Sequence, residues 1–201
     1  MPAMNFSSTN KRYYSIDKVT GKIRAKIKTA DGVVEKNYDA LDGRLVKIER
    51  RDEMFEGRPT VKIQFHLAND TDDFIDVLQS GQGTAFVNDI LNRLANVPDL
   101  TAWVRLTPYL SEDKNNKDKK YLHGSLRVCR GESDKGEIIK GKYTFEEIPA
   151  PKQVVFRGET HSDDSERRTF FDGVIADINA RLTGQKPQPK AVAEFVEEDV
   201  F

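Results

Sequence analysis

Lys22, Arg24, Lys26 and Lys28 occupy every second position of one short segment, with Ile23, Ala25 and Ile27 between them. In an extended strand successive side chains leave on opposite faces, so this spacing predicts a cationic row above a buried apolar edge. Such a row can follow a phosphodiester backbone, and each phosphate it neutralises releases counterions, which makes binding salt-dependent. The same pattern also suits a solvated edge strand guarded by lysines against aggregation.

A second constellation surrounds the polar stretch from Ser111 to Lys120. With Val104 and Leu106 turned inward, Trp103, Arg105, Thr107 and Tyr109 share the opposite face. On the following segment Leu122, Leu126 and Val128 point in, leaving Tyr121, His123, Ser125 and Arg127 outward. Aromatics interleaved with arginines form a base-stacking platform, on which each base contributes roughly 1–3 kcal/mol whatever its identity. Trp103, Tyr109 and Tyr121 are the stacking candidates, with Arg105 and Arg127 adding charge and cation–π contact. A Trp103 packed in the core is the competing reading. The connecting tip adds Lys114, Lys117, Lys119 and Lys120 as further phosphate contacts.

The third is the C-terminal stretch. Glu194, Glu197, Glu198 and Asp199 precede a terminal Phe201, behind a segment with Gly184, Pro187 and Pro189 that reads as a flexible, partly extended linker. Lys11 to Lys28 holds seven bases against one acid, whereas Gln185 onward holds two bases and four acids. Opposite charge at the two ends suggests a nucleic-acid surface paired with an acidic protein-binding handle that competes for it.

Enzyme chemistry finds little support. His66, His123, His161 and Cys129 lack zinc spacing, and no metal or other cofactor is expected. Asp70, Asp72 and Asp73 could hold Mg²⁺ but equally form a solvated turn. Gly81-Gln82-Gly83 is too short for a dinucleotide fingerprint, and no phosphate loop or nucleophile motif occurs.

The elements that must position these residues follow from periodicity. Strands are expected over 21–29, 33–38, 45–51, 60–68, 102–110, 121–130 and 138–145, with an Asp31-Gly32 hairpin turn between the first two. Val87, Ile90, Leu91 and Leu94 predict a helix ended near Pro98. Phe171, Val174, Ile175, Ile178 and Leu182 predict a second, opened by Asp163 and Glu166 as a capping-box variant. Glu147 to Val155 should cross the surface extended. The sum is a mainly β protein: an oligonucleotide-binding (OB)-like, five-stranded Greek-key barrel with one inserted and one C-terminal helix, a β-sandwich being the alternative. Residues 1–184 would form the domain and 185–201 the linker and tail. With 201 residues, net charge −1, one cysteine, no apolar leader core and no run of about 18 apolar residues, the chain reads as a cytoplasmic, non-membrane protein.

Glu197-Glu198-Asp199-Val200-Phe201, together with Ser80 to Val97 and Val104 to Lys120 (including Leu106-Thr107-Pro108-Tyr109), resembles bacteriophage single-stranded DNA-binding proteins. Bacterial relatives end in aspartates followed by Ile-Pro-Phe, and the penultimate proline is missing here. The resemblance implies an oligonucleotide-binding barrel that coats single-stranded DNA in replication and recombination. It also implies recruitment of polymerase, primase-helicase or nuclease through the tail, in a bacterial host cytoplasm. A homodimer is compatible with it. Two rivals stay open: a β-barrel adaptor presenting its C-terminal peptide, and a metal-dependent nuclease using Asp70 to Asp73.

Overall fold

The computed structural model describes residues 10–29, 32–69, 74–113, 116, 119–130, 134–156 and 159–184, excepting the side chains of Lys28, Thr29 and Phe156. Its strands in chain order are β1 (Lys11–Ile16), β2 (Ile23–Thr29), β3 (Gly32–Tyr38), β4 (Leu41–Phe55), β5 (Arg58–Ala68) and β6 (Ile75–Gly81). Helix α1 (Ala85–Leu94) follows, then β7 (Trp103–Glu112), β8 (Lys120–Cys129), β9 (Glu137–Ile138), β10 (Lys152–Phe156), β11 (Glu159–Asp163) and α2 (Ser165–Leu182).

Nine strands form one mixed sheet in the order β3-β2-β1-β6-β5-β4-β7-β8-β9, while β10 and β11 make a separate hairpin. The protein is therefore mainly β with two helices, as expected, but the sheet has nine strands rather than five and is not a closed barrel. All neighbours run antiparallel except β1 and β6, whose parallel ladder joins Lys11–Ser15 to Ile75–Gln79. At this seam Arg12 grips the nearly buried Asp76 with two bonds of 2.6 and 2.9 Å.

One face of the sheet carries the core. Ile63, Phe65 and Leu67 of β5, Leu78 of β6, Ile23 of β2 and Leu106 and Leu126 of β7 and β8 are wholly buried. They meet Phe86, Ile90, Leu91 and Leu94 of α1, and Phe171 and Ile178 of α2. The stripe expected for α1 is buried throughout, and that of α2 is buried at Phe171, Val174, Ile175 and Ile178, with Leu182 half-buried at its end. Thr84 caps α1 by accepting from the Val87 N–H. At α2 the capping box is not formed: Asp164 is the N-cap and makes no side-chain cap bond, while Glu166 pairs with Lys152.

Two asparagines explain where the sheet departs from the expected strands. Strand β4 is longer than expected, because β7 pairs only with Leu41–Arg44 while β5 pairs onward to Phe55, past an irregularity between Leu45 and Lys47. Beyond Arg44 the other edge of β4 would leave backbone groups unmatched. Asn179 of α2 supplies them, accepting from Ile48 N–H at 2.9 Å and donating to Ile48 C=O at 2.8 Å. Asn92 of α1 does the same for Tyr143, accepting at 2.8 Å and donating at 3.0 Å. That pairing draws the 139–145 segment onto a helix, so the strand expected over 138–145 shrinks to Glu137–Ile138. The first hairpin turn also shifts by one residue: Thr29 pairs with Gly32, so Gly32 belongs to the strand. The segment expected to be merely extended from Glu147 contains β10 instead.

Candidate nucleic-acid interface

Residue pairing defines a continuous face opposite the helices. It runs from Arg24 and Lys26 on β2 through Ser15 and Tyr13 on β1, Gln79 on β6 and Gln64 and His66 on β5 to Lys47 and Glu49 on β4. Through Arg44 and Asp42 it reaches Trp103, Arg105, Thr107 and Tyr109 on β7, and Arg127, Ser125, His123 and Tyr121 on β8. The cationic row and the aromatic hairpin, 80 residues apart in sequence, thus share one face. They stand five strand spacings apart, about 24 Å along the sheet.

The row is paired within the protein, but loosely. Glu35 of β3 lies 3.7 Å from Arg24 and 3.5 Å from Lys26, and Lys22, just before β2, pairs with Asp39. Lys47 meets Glu49 and Lys62 meets Glu53, each at 2.6 Å. Pairs this exposed contribute roughly 0–1 kcal/mol each, so a phosphate can displace the carboxylate. Lys28 stands opposite Val33 in the ladder, in register with the row. Across the face, Lys11, Arg24, Lys26, Arg44, Lys47, Arg51, Lys62, Arg105 and Arg127 outnumber Glu35, Asp42, Glu49 and Glu53.

At the hairpin the candidates divide. Tyr109 and Tyr121 are 43% and 47% exposed, with rings open to a ligand. Tyr121 donates its hydroxyl to Asp113 at 2.9 Å, and the bond to that carboxylate raises the phenol's pKa. Trp103 is only 8% exposed, under the Arg44 guanidinium 5.9 Å from its ring, and offers little surface to a base. Arg105 is held by Asp42 through bonds of 2.8 and 2.6 Å, which raise its pKa, and reaches Asp134 C=O at 3.2 Å. Arg127 donates to Gly136 C=O at 3.2 Å. Both arginines lie on the face as expected, yet both hold the 134–136 segment against the sheet. Lys119 and Lys120 are exposed beside the hairpin tip, with Lys120 alternating away from Tyr121.

Lys114, Lys117 and the Asp70 to Asp73 cluster lie outside the described residues, as do Glu194, Glu197, Glu198, Asp199 and Phe201. Among the described residues no group of three metal-ligating side chains converges, and no helix is long and apolar enough to cross a membrane.

Two aromatics on this face escaped the sequence reading. Tyr13 is 45% exposed on β1, and Phe55 is 62% exposed at the β4–β5 tip. The Lys11, Tyr13, Ser15 alternation was the signal for the first; Phe55 fell between the strands expected over 45–51 and 60–68. His66 sits at the centre of the face, 1% exposed, with no hydrogen bond to Nε2. Burial, then Lys47 and Lys11, push its pKa down to about 4. It is neutral at pH 7, so its 3.3 Å approach to Glu49 is not an ion pair there.

Family models, curated proteins and solved structures give no match to this chain, so the reading rests on its own residues.

Proposed function

We propose that this protein is a non-enzymatic single-stranded DNA-binding protein whose ligand lies across the helix-free face of the sheet. The observation that carries this is the shared face itself: a row of weakly paired cations and a set of exposed aromatic rings on the same side of the sheet, flanking a middle where Val77, Gln64 and His66 are buried. Arg24, Lys26, Lys47 and Lys62 follow phosphates, while Tyr109, Tyr121, Tyr13 and Phe55 stack on bases. Neither contact reads base identity, so binding is sequence-independent. In this reading the sheet face from β2 to β8 does the work of the oligonucleotide-binding barrel in the phage proteins that the sequence resembles. The acidic tail ending at Phe201 is the proposed handle for replication and recombination enzymes.

The test is an anisotropy titration of fluorescent oligo-dT at two salt concentrations, beside duplex DNA and RNA of equal length. Tight binding at low salt that weakens steeply at high salt supports the proposal. No binding at low salt refutes it. An adaptor reading draws on Met54, 69% exposed beside Phe55, as an apolar tip suited to a protein partner. It predicts no oligonucleotide binding.

A further inference from the structure

Where β8 runs past β9, its outer edge has no strand partner among the described residues, because β9 pairs only with Arg127 and Val128. Helix α1 takes that edge. Asp89 accepts from Gly124 N–H at 3.1 Å and lies 2.8 Å from His123 Nδ1. A carboxylate at Nδ1 favours a proton on that nitrogen and fixes the ring's orientation. Beside this pair a cavity of about 310 Å³ opens between α1, β8, the 145–148 segment and the start of α2. That is the lower end of the size of small-ligand sites, roughly 300–1,000 Å³.

The walls are specific in kind. Phe171 is buried and Phe145 is 76% exposed, an apolar ring facing water at the rim. Asn88 lines the cavity with an amide that makes no hydrogen bond to a described residue. Arg167 spends its Nε on Pro149 C=O at 2.8 Å, which leaves its terminal nitrogens for an anion. An exposed aromatic rim with a free amide and a guanidinium matches a flat, hydrogen-bonding ring that carries a phosphate. The sheet face and the cavity adjoin at this edge: Tyr109 on the face stacks on His123 at the cavity wall, centroids 5.6 Å apart.

We propose that this cavity receives one unstacked base of the bound strand, against the exposed ring of Phe145, with Asn88 at its hydrogen-bonding edge and Arg167 at its phosphate. This rests on the single-strand reading above and adds to it a site that senses base identity, since a side-chain amide pairs differently with each base.

The experiment uses the full chain with dA, dC and dT homopolymers, an oligo-dT carrying one 2-aminopurine, and free dAMP. Asn88→Ala and Phe145→Ala alter the cavity, and Tyr109→Ala alters the sheet face. The expected result has three parts: 2-aminopurine brightens on the wild type, Phe145→Ala weakens binding at least fivefold, and Asn88→Ala flattens the homopolymer ranking. If both cavity variants keep the ranking and the brightening while Tyr109→Ala weakens binding, the cavity assignment falls and the single-strand reading stands. If dAMP binds without competing with the oligonucleotide, the cavity belongs to a free nucleotide and the strand-base assignment is overturned. Absence of oligonucleotide binding to the wild type at low salt overturns both.

Discussion

Tyr109 lies over His123 with ring planes 24° from parallel, and Asp89 holds the histidine from its edge. The tyrosine is thereby backed on one side and 43% exposed, already oriented before any base arrives. Ordering a free side chain on binding costs about 0.5–1.5 kcal/mol, and this arrangement avoids most of that cost. Tyr109→Ala should therefore lower oligo-dT affinity by about 1–3 kcal/mol, or about five- to 150-fold. Tyr109→Phe should retain most of it. Anisotropy titrations of the two variants separate stacking from hydrogen bonding by the hydroxyl.

The cationic row makes a different prediction, because it acts through counterions. Arg24→Ala and Lys26→Ala should each flatten the plot of log affinity against log salt by about 0.7 per lost phosphate contact. The loss in affinity should shrink at high salt. A variant that weakens binding equally at all salt concentrations would place its side chain away from phosphate.

His66 predicts an acid sensitivity. Its folded pKa is pushed down to about 4 from the ordinary 6.5, so between these values the unfolded chain takes up a proton that the folded protein does not. Stability is thus full above pH 6.5 and falls with pH through that window, by about 3 kcal/mol in total. Thermal unfolding of the wild type should show a lower Tm at pH 5 than at pH 7. His66→Gln should reduce the difference. An equal drop in both proteins would assign the acid sensitivity to other groups.

Gly124 predicts a packing defect. A Cβ at this position would stand 2.8 Å from Ile90 Cγ1 and 2.9 Å from the Phe86 carbonyl, so α1 would have to move off β8. Overpacking of this kind costs about 1–3 kcal/mol. Gly124→Ala should lower the urea midpoint accordingly. Because Asp89 bonds Gly124 N–H, the same shift should disturb His123 and weaken oligonucleotide binding.

How much of this was legible in the chain depends on how local each pattern is. Helix α1 was legible because Val87, Ile90, Leu91 and Leu94 recur at helical spacing behind the capping Thr84. Strands β2, β5, β7 and β8 alternate, so their faces could be assigned before their partners were known. Strand β6 could not, because Ile75 to Leu78 are all buried and a strand covered on both sides loses its alternation. Strand β1 does alternate, but it is only six residues long and its ladder to β6 joins positions some 60 residues apart. In the site, the positions of Arg105 and Tyr109 on one face followed from alternation. The capture of Arg105 by Asp42, 63 residues away, and the burial of Trp103 under Arg44 did not, since both depend on β4 docking beside β7.

The parallel seam between β1 and β6 is where the strands of the cationic row join the rest of the sheet. Strands β1, β2 and β3 follow one another directly in the chain; in the sheet they join β6 through five residue pairs and the Arg12–Asp76 clasp, and Tyr14, Ile23 and Ala25 anchor them in the common core. The cationic row travels with this trio, whereas the exposed tyrosines of the β7–β8 hairpin travel with the remainder. In the proposed single-strand reading, the span between phosphate grip and base grip is therefore held by this ladder, its clasp and the core beneath it. It acts as a calliper setting, on which the length of strand held by each molecule depends.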